Sequence, residues 1–246
     1  MTLWQYLILF LSVLAGGLIA LQIQKNKKSI LKIVLSFSGA YLLGITVLHL
    51  LPSVFFQPES NIGVWILGGF FIQLLLERLS QGVEHGHIHA HKSAKPSFAI
   101  QIMLGLCLHA FMEGLPLSNY HDMHHHSHGV HESGDHLHLF YGIILHKIPA
   151  AFALGLLLLR SDFSRKFILG CLVIFALMSP LGAFTSALIA PEGAVLNRIM
   201  AIVVGSFLHI ATTILFETDD THHHRISWQK LCAILVGIGL ALLTMH

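Results

Sequence analysis

The sequence has 246 residues, of which 54% are hydrophobic and 11% are charged, whereas a soluble domain carries roughly 25% charged residues. The formal net charge is only +2, so the composition gives no support to a nucleic-acid partner. These values exclude an ordinary soluble globular fold and favour a chain that lies largely within a lipid bilayer.

Apolar runs recur eight times along the chain, with lengths close to the roughly 17–25 residues of a transmembrane helix. The runs cover residues 3–23, 30–56, 62–79, 98–117, 137–159, 167–190, 195–216 and 228–245. The sequence therefore predicts an all-α membrane helix bundle, with eight transmembrane helices in a single transmembrane domain over residues 1–246.

The basic residues predict the orientation of this bundle. If the amino terminus lies outside, the loops after helices one, three, five and seven face the cytoplasm. Twelve of the fourteen Lys and Arg then flank the cytoplasmic side: Lys25, Lys27, Lys28, Lys32, Arg78, Lys92, Lys95, Arg160, Arg165, Lys166, Arg225 and Lys230. Because positive residues collect on that side of a membrane, we expect both termini outside, in a plasma or inner cell membrane.

Helices two, three and seven carry a few polar residues that are candidates for an ion pathway. His49 and His209 fall deep in helices two and seven, and Glu77 and Glu217 close helices three and seven on the inner side. The two histidines either line an ion pathway or pack between helices. The two acids suit either the transfer of an ion to inner histidines or a surface position with the head group in water.

Histidine-rich segments lie between the predicted helices. The external loop 119–138 contains eight histidines: His121, His124, His125, His126, His128, His131, His136 and His138. Smaller clusters face the cytoplasm in the loop 82–96 (His85, His87, His89 and His91) and at His222, His223 and His224. Such tracts indicate metal collection, and the alternative is a solvated polar linker.

Helices four and five contain the residues that point most directly to a metal site. His109 and Glu113 are four residues apart and therefore share one helix face. At about 1.5 Å per residue, His109 lies roughly 12 Å and His146 roughly 13 Å below the outer ends of antiparallel helices. His109, Glu113 and His146 would form a three-ligand site with an open position, which is typical of exchangeable zinc. Because buried charges are costly in a membrane, such residues mark ion or substrate pathways.

Two further residue types lie beside these candidate ligands. Lys147 follows His146, and we expect it to pair with Glu113, the only acid predicted at that depth. Pro116 and Pro149 each follow a candidate ligand by three residues. A proline removes a backbone donor, so we expect Pro116 to free the carbonyl oxygen of Met112 and Pro149 to free that of Leu145.

These residues favour a transporter of divalent metal ions, with zinc as substrate and no cofactor. Ferrous iron and manganese remain alternative substrates. An intramembrane zinc hydrolase is the alternative function, but it needs a separate acid or base near the metal, and Lys147 is the only ionisable candidate. A metal sensor or receptor would need a sizeable soluble domain, for which no loop is long enough.

Two segments resemble the signature helices of the ZIP metal-ion transporters: HAFMEG at 109–114 and HKIPAAFALG at 146–155. The likeness is to the branch with HSxxEG in its fourth helix and HKxxxAFxLG in its fifth. HLLP at 49–52 and GSFLHIATTILFE at 205–217 are similar to the second and seventh helices of that family.

This resemblance implies transport of zinc, and sometimes of iron, manganese or cadmium, towards the cytoplasm by a homodimer. Many ZIP members hold a second metal ion, but the positions of its ligands are Ala110, Ala150 and Ala151 in this chain, and Lys147 replaces an acid. We therefore expect a single metal ion at the centre, with the ammonium of Lys147 in place of the second ion.

Overall fold

The computed structural model describes residues 1–22, 28–56, 61–85, 95–118, 135–191, 193–216 and 227–243. In these ranges every regular element is helical, which confirms the predicted all-α fold. The helices are α1 (Leu3–Gln22), α2 (Lys28–Ile45, continued by a π-helical turn Thr46–Leu50 and Leu51–Phe56), α3 (Ile62–Ser80), α4 (Pro96–Gly114), α5 (Asp135–Arg160), α6 (Arg165–Ile189), α7 (Gly193–Phe216) and α8 (Trp228–Leu243).

The lengths of these helices agree with a membrane bundle. Helices α1 to α7 are long and apolar enough to cross a bilayer. Helix α8 is apolar but has 16 residues, and the end of the run predicted at 228–245 lies outside the described residues. Helices form along these runs because lipid offers no hydrogen-bond partner, so the backbone must pair within the chain. The orientation of the bundle remains a prediction.

The end of α4 differs from the sequence expectation. The α-helix stops at Gly114 and continues as a tighter 3₁₀ turn, Leu115–Ser118. In this turn the N–H of Leu115 donates to the carbonyl of Met112. The expectation that Pro116 leaves this carbonyl free is therefore wrong, because the tighter turn supplies another donor.

The chain after α3 turns back into the bundle. Gln81 and Gly82 both have positive φ (54° and 69°), and the N–H of Gly82 donates to the carbonyl of Glu77. The following 3₁₀ turn, Val83–His85, is buried and contacts α3, α5 and α7. The sequence treated this turn as part of a cytoplasmic loop, but the left-handed residues direct it inward. Residues 86–94 lie outside the described part of the chain.

Helices α3 and α7 approach each other through a reciprocal pair of glycines. A Cβ atom on Gly69 would collide with the carbonyl of Ile202, and a Cβ on Gly205 would collide with the carbonyl of Ile66. Small residues of this kind let helix backbones pack closely in membranes. The contact fixes the register of α3 against α7.

Helices α4 and α6 use the same kind of contact. A Cβ on Gly114 would collide with the carbonyl of Ser179, and a Cβ on Gly182 would collide with the carbonyl of Phe111. This close approach brings the side chain of Ser179 against α4, next to the candidate metal ligands.

We expect Gly69→Ala to lower the thermal stability of the purified protein, because the new methyl group meets backbone atoms that cannot move aside. Overpacking of this kind costs about 1–3 kcal/mol. Thermal unfolding in detergent, followed by circular dichroism, measures the effect.

The matched control is Gly68→Ala, on the same helix, where a Cβ would meet no atom within 4 Å. This variant should keep or slightly raise the stability, because alanine favours helix over glycine by about 0.5–1 kcal/mol. Equal unfolding temperatures for the two variants would show that the α3–α7 contact is looser than described.

Candidate metal centre

The structure brings His109 and Glu113 of α4 together with His146 of α5. One donor atom from each of the three residues lies within 4.8 Å of the others, and none of the three residues exposes more than 3% of its surface. Tetrahedral zinc with bonds of about 2.1 Å would place its ligand atoms about 3.4 Å apart. A modest contraction of this cluster therefore suffices to surround an ion.

The potential ligand atoms of the cluster lie close to one another. His109 Nε2 lies 3.2 Å from Glu113 Oε2, and the rings of His109 and His146 stand nearly perpendicular with their centroids 6.0 Å apart. Within the described residues, His109 Nε2, Glu113 Oε2 and His146 Nδ1 have no hydrogen-bond partner. Buried polar atoms without partners are unusual and costly, and a cation among them would satisfy them.

Lys147 and Ser179 contact the other carboxylate oxygen of Glu113. Lys147 Nζ lies 2.8 Å from Glu113 Oε1, and it also stands 4.8 Å from the centre of the Phe175 ring. The hydroxyl of Ser179 donates to the carbonyl of Ala110 at 2.7 Å and lies 3.2 Å from Glu113 Oε1. Oε1 is thus held by the protein, which leaves Oε2 beside Nε2 of His109.

A second group of candidate ligands consists of Glu77 on α3, His85 on the inward turn and His209 on α7. Glu77 Oε2 lies 2.5 Å from His209 Nε2 and 3.5 Å from His85 Nε2. The ring of His209 also packs edge-on against Phe70, with centroids 4.8 Å apart. The sequence singled out Glu77 and His209 as separate residues, and the fold brings them into direct contact, with His85 beside the same Glu77 carboxylate oxygen.

Of the other residues singled out from the sequence, the side chain of His49 lies in the described part of the chain. His49 is half-buried in the π-helical turn of α2, and it belongs to neither group of candidate ligands among the described residues. Glu217, the side chains of the eight histidines of the external loop, and the histidines at 87, 89, 91 and 222–224 lie outside the described residues.

Sequence reasoning missed four buried polar residues near the centre: Gln73, Glu84, Ser179 and Ser206. Glu84 is a second fully buried acid, on the inward turn after α3, whose burial the sequence did not indicate. The spacing of residues in the sequence could have indicated two of these four, Gln73 and Ser206. Gln73 precedes Glu77 by four residues and Ser206 precedes His209 by three, spacings that place each pair on one helix face.

Comparisons with known proteins point to one family. A family model described as ZIP Zinc transporter matches residues 84–245. The chain is 28% identical to Zinc transporter ZIP9-B of Xenopus laevis, over 73% of this chain and 63% of that protein. It is 30% identical to Zinc transporter ZIP9 of Micropogonias undulatus, over 63% of this chain and 51% of that protein.

A third relative is Zinc transporter ZIP1 of Homo sapiens, at 25% identity over 89% of this chain and 78% of that protein. The chain spans less than two thirds of the length of the ZIP9 relatives. The family match begins at Glu84 and includes both helices that carry the central cluster.

We expect Lys147→Met to weaken zinc binding to the purified protein. Glu113 would lose the ammonium group 2.8 Å from its Oε1 atom, and a buried carboxylate without a counter-charge takes up a proton, which zinc must then displace. Isothermal titration calorimetry with zinc measures the change in affinity.

The control is Lys166→Met, which removes an exposed lysine and should leave zinc affinity unchanged. If Lys147→Met binds zinc as tightly as the unmodified protein, or more tightly, the lysine does not prepare Glu113 for the metal.

Proposed function

The chain belongs to the ZIP zinc transporter family, and we propose that it moves divalent metal ions, above all zinc, across the membrane towards the cytoplasm. The observation that carries this proposal is the buried cluster of His109, Glu113 and His146. Two imidazoles and one carboxylate suit zinc, and three protein ligands leave a coordination position open for exchange. A transport site must release its ion, so an incomplete ligand set is an advantage.

The surroundings of the cluster support a role in transport rather than in structure. A charged residue in a membrane is costly and marks an ion pathway by default, and Glu113 and Lys147 are both almost completely buried. The ion pair keeps Glu113 ionised until zinc arrives. Because the ammonium group occupies the far side of the carboxylate, the centre has charge and space for one ion.

The group of Glu77, His85 and His209 provides a second binding site for the ion on its path. Glu77 lies at the end of α3, His85 lies on the turn that follows it, and His209 on α7 contacts Glu77. The basic residues assign this end of α3 to the cytoplasmic side. We infer that zinc passes from the central cluster to this group and then to the inner histidine segments. The histidines of the external loop 119–138 would gather ions before they enter.

The nature of the substrate and the assembly complete the proposal. The relatives are named zinc transporters, which favours zinc over iron, manganese or cadmium and gives no support to the hydrolase alternative. We propose that the chain is an integral protein of a plasma or inner cell membrane and that it acts as a homodimer without a cofactor.

We expect His109→Ala, Glu113→Ala and His146→Ala each to reduce zinc uptake by more than about 100-fold, since even a group that only orients a metal ligand is worth about 10–100-fold. Uptake of zinc into liposomes that contain the purified protein, with competing divalent ions, measures both rate and selectivity.

The comparison is a variant in which all eight histidines of the external loop become asparagine. This variant should lose transport only at scarce zinc, because the loop gathers ions and does not hold the transport site. If it is inactive at saturating zinc while His109→Ala is active, the two roles are reversed.

We also expect His209→Ala to slow zinc release on the inner side and to reduce the maximal uptake rate by roughly tenfold, with little change in the zinc concentration at half-maximal rate. Stopped-flow uptake with a zinc dye inside the liposomes measures this rate. The control His209→Phe keeps a ring beside Phe70 but offers no metal ligand, so it should be as slow as His209→Ala. If His209→Phe takes up zinc at the rate of the unmodified protein, the role of His209 is packing and not metal binding.

A further inference from the structure

Three buried polar side chains form a continuous hydrogen-bonded chain that ends on His109 of the central cluster. Gln73 Nε2 donates to Glu84 Oε2 at 2.7 Å, and the hydroxyl of Ser206 donates to Gln73 Oε1 at 2.9 Å. Ser206 Oγ lies 3.3 Å from His109 Nδ1. We call Glu84, Gln73 and Ser206 the relay residues.

The relay residues come from three separate elements of the fold. Gln73 belongs to α3, Ser206 to α7 and Glu84 to the inward turn after α3, and none exposes more than 2% of its surface. The reciprocal glycine contact between α3 and α7 sets the register that lets Ser206 reach Gln73. The arrangement is therefore a built part of the bundle and not a chance surface contact.

The direction of the chain follows from what each group can donate. The amide nitrogen of Gln73 donates to Glu84 and its amide oxygen accepts from Ser206, so the amide group links the two residues in one direction. Ser206 has a single hydroxyl hydrogen, and it is used on Gln73 Oε1. The Ser206 oxygen can then only accept from His109, which requires a proton on His109 Nδ1.

A proton on Nδ1 decides which nitrogen of His109 meets the metal. A neutral imidazole carries one N–H and one lone pair, so Nε2 keeps its lone pair. Nε2 is the atom that lies 3.2 Å from Glu113 Oε2 and has no hydrogen-bond partner among the described residues. Without the chain, Ser206 could donate to Nδ1 instead, and the proton would move to Nε2, where it blocks a metal bond.

We propose that Glu84, Gln73 and Ser206 are positioning residues that hold the proton of His109 on Nδ1 and so keep Nε2 free as a metal ligand. This proposal rests on the proposed function only in taking His109 as a ligand. Groups that orient a ligating histidine through its other nitrogen are typically worth about 10–100-fold in metal affinity. Glu84 thus acts on the metal site from three hydrogen bonds away.

Nitrogen-15 NMR of histidine-labelled protein in lipid, without added metal, tests the proton position directly. The signals of His109 are assigned by their loss in His109→Gln. We expect Nδ1 to carry a proton in the unmodified protein and Glu84→Gln to give a mixture of the two tautomers, because an amide at position 84 can both donate and accept. A neutral His109 with its proton on Nε2 in the unmodified protein would overturn the proposal.

Zinc calorimetry gives the second readout. Ser206→Ala should weaken binding by about 10–100-fold, whereas Ser206→Thr keeps the hydroxyl and should restore it. The control Ser38→Ala removes a buried hydroxyl that bonds only the Leu35 carbonyl of its own helix among the described contacts, and it should bind zinc normally. Equal affinities for Ser206→Ala and Ser38→Ala would overturn the proposal.

A double variant separates a connected chain from independent damage. If Glu84 acts through Ser206, then Glu84→Gln combined with Ser206→Ala should bind zinc no more weakly than Ser206→Ala alone, because residues of one network are not additive. Fully additive losses of zinc affinity would overturn the proposal.

The variant His109→Ala distinguishes a failure of this proposal from a failure of the proposed function. If His109→Ala abolishes binding, only the relay is refuted, whereas normal binding refutes the ligand assignment itself.

Discussion

The ion pair between Glu113 and Lys147 constrains everything around it, because an isolated charge in a membrane interior is expensive. The pair holds Glu113 Oε1 at 2.8 Å from the ammonium group, and Ser179 adds a hydroxyl 3.2 Å from the same oxygen. Since one oxygen is held in this way, the other is available to the two histidines. The helices α4, α5 and α6 must therefore stay in register for the site to exist.

Local spacing was enough to predict the central cluster from the sequence. His109 and Glu113 share a helix face because they are one turn apart, and His146 lies at a similar depth on a neighbouring antiparallel helix. Continuous apolar runs likewise predicted the helices, since lipid allows few other structures. The ion pair of Lys147 followed from charge alone, because a buried cation needs a nearby anion.

The rest depends on tertiary packing that sequence periodicity does not contain. Periodicity shows which residues share a face, but not which helix that face meets. The contact between Ser206 and Gln73 depends on the close approach of α3 and α7 at glycines. The burial of Glu84 and His85 depends on Gln81, a residue other than glycine with φ of 54°, and such conformations are uncommon and hard to foresee.

The pairing of one carboxylate with one ammonium group also has an electrical consequence. With neutral imidazoles, the central cluster and Lys147 together carry no net charge when metal-free and two positive charges when zinc is bound. Moving one elementary charge through 100 mV is worth roughly 2.3 kcal/mol, so a divalent ion that crosses the whole field gains about 4.6 kcal/mol per 100 mV. If zinc moves inward as proposed, a membrane potential that is negative inside drives the step that carries the ion, whereas the return of the metal-free, uncharged site does no electrical work.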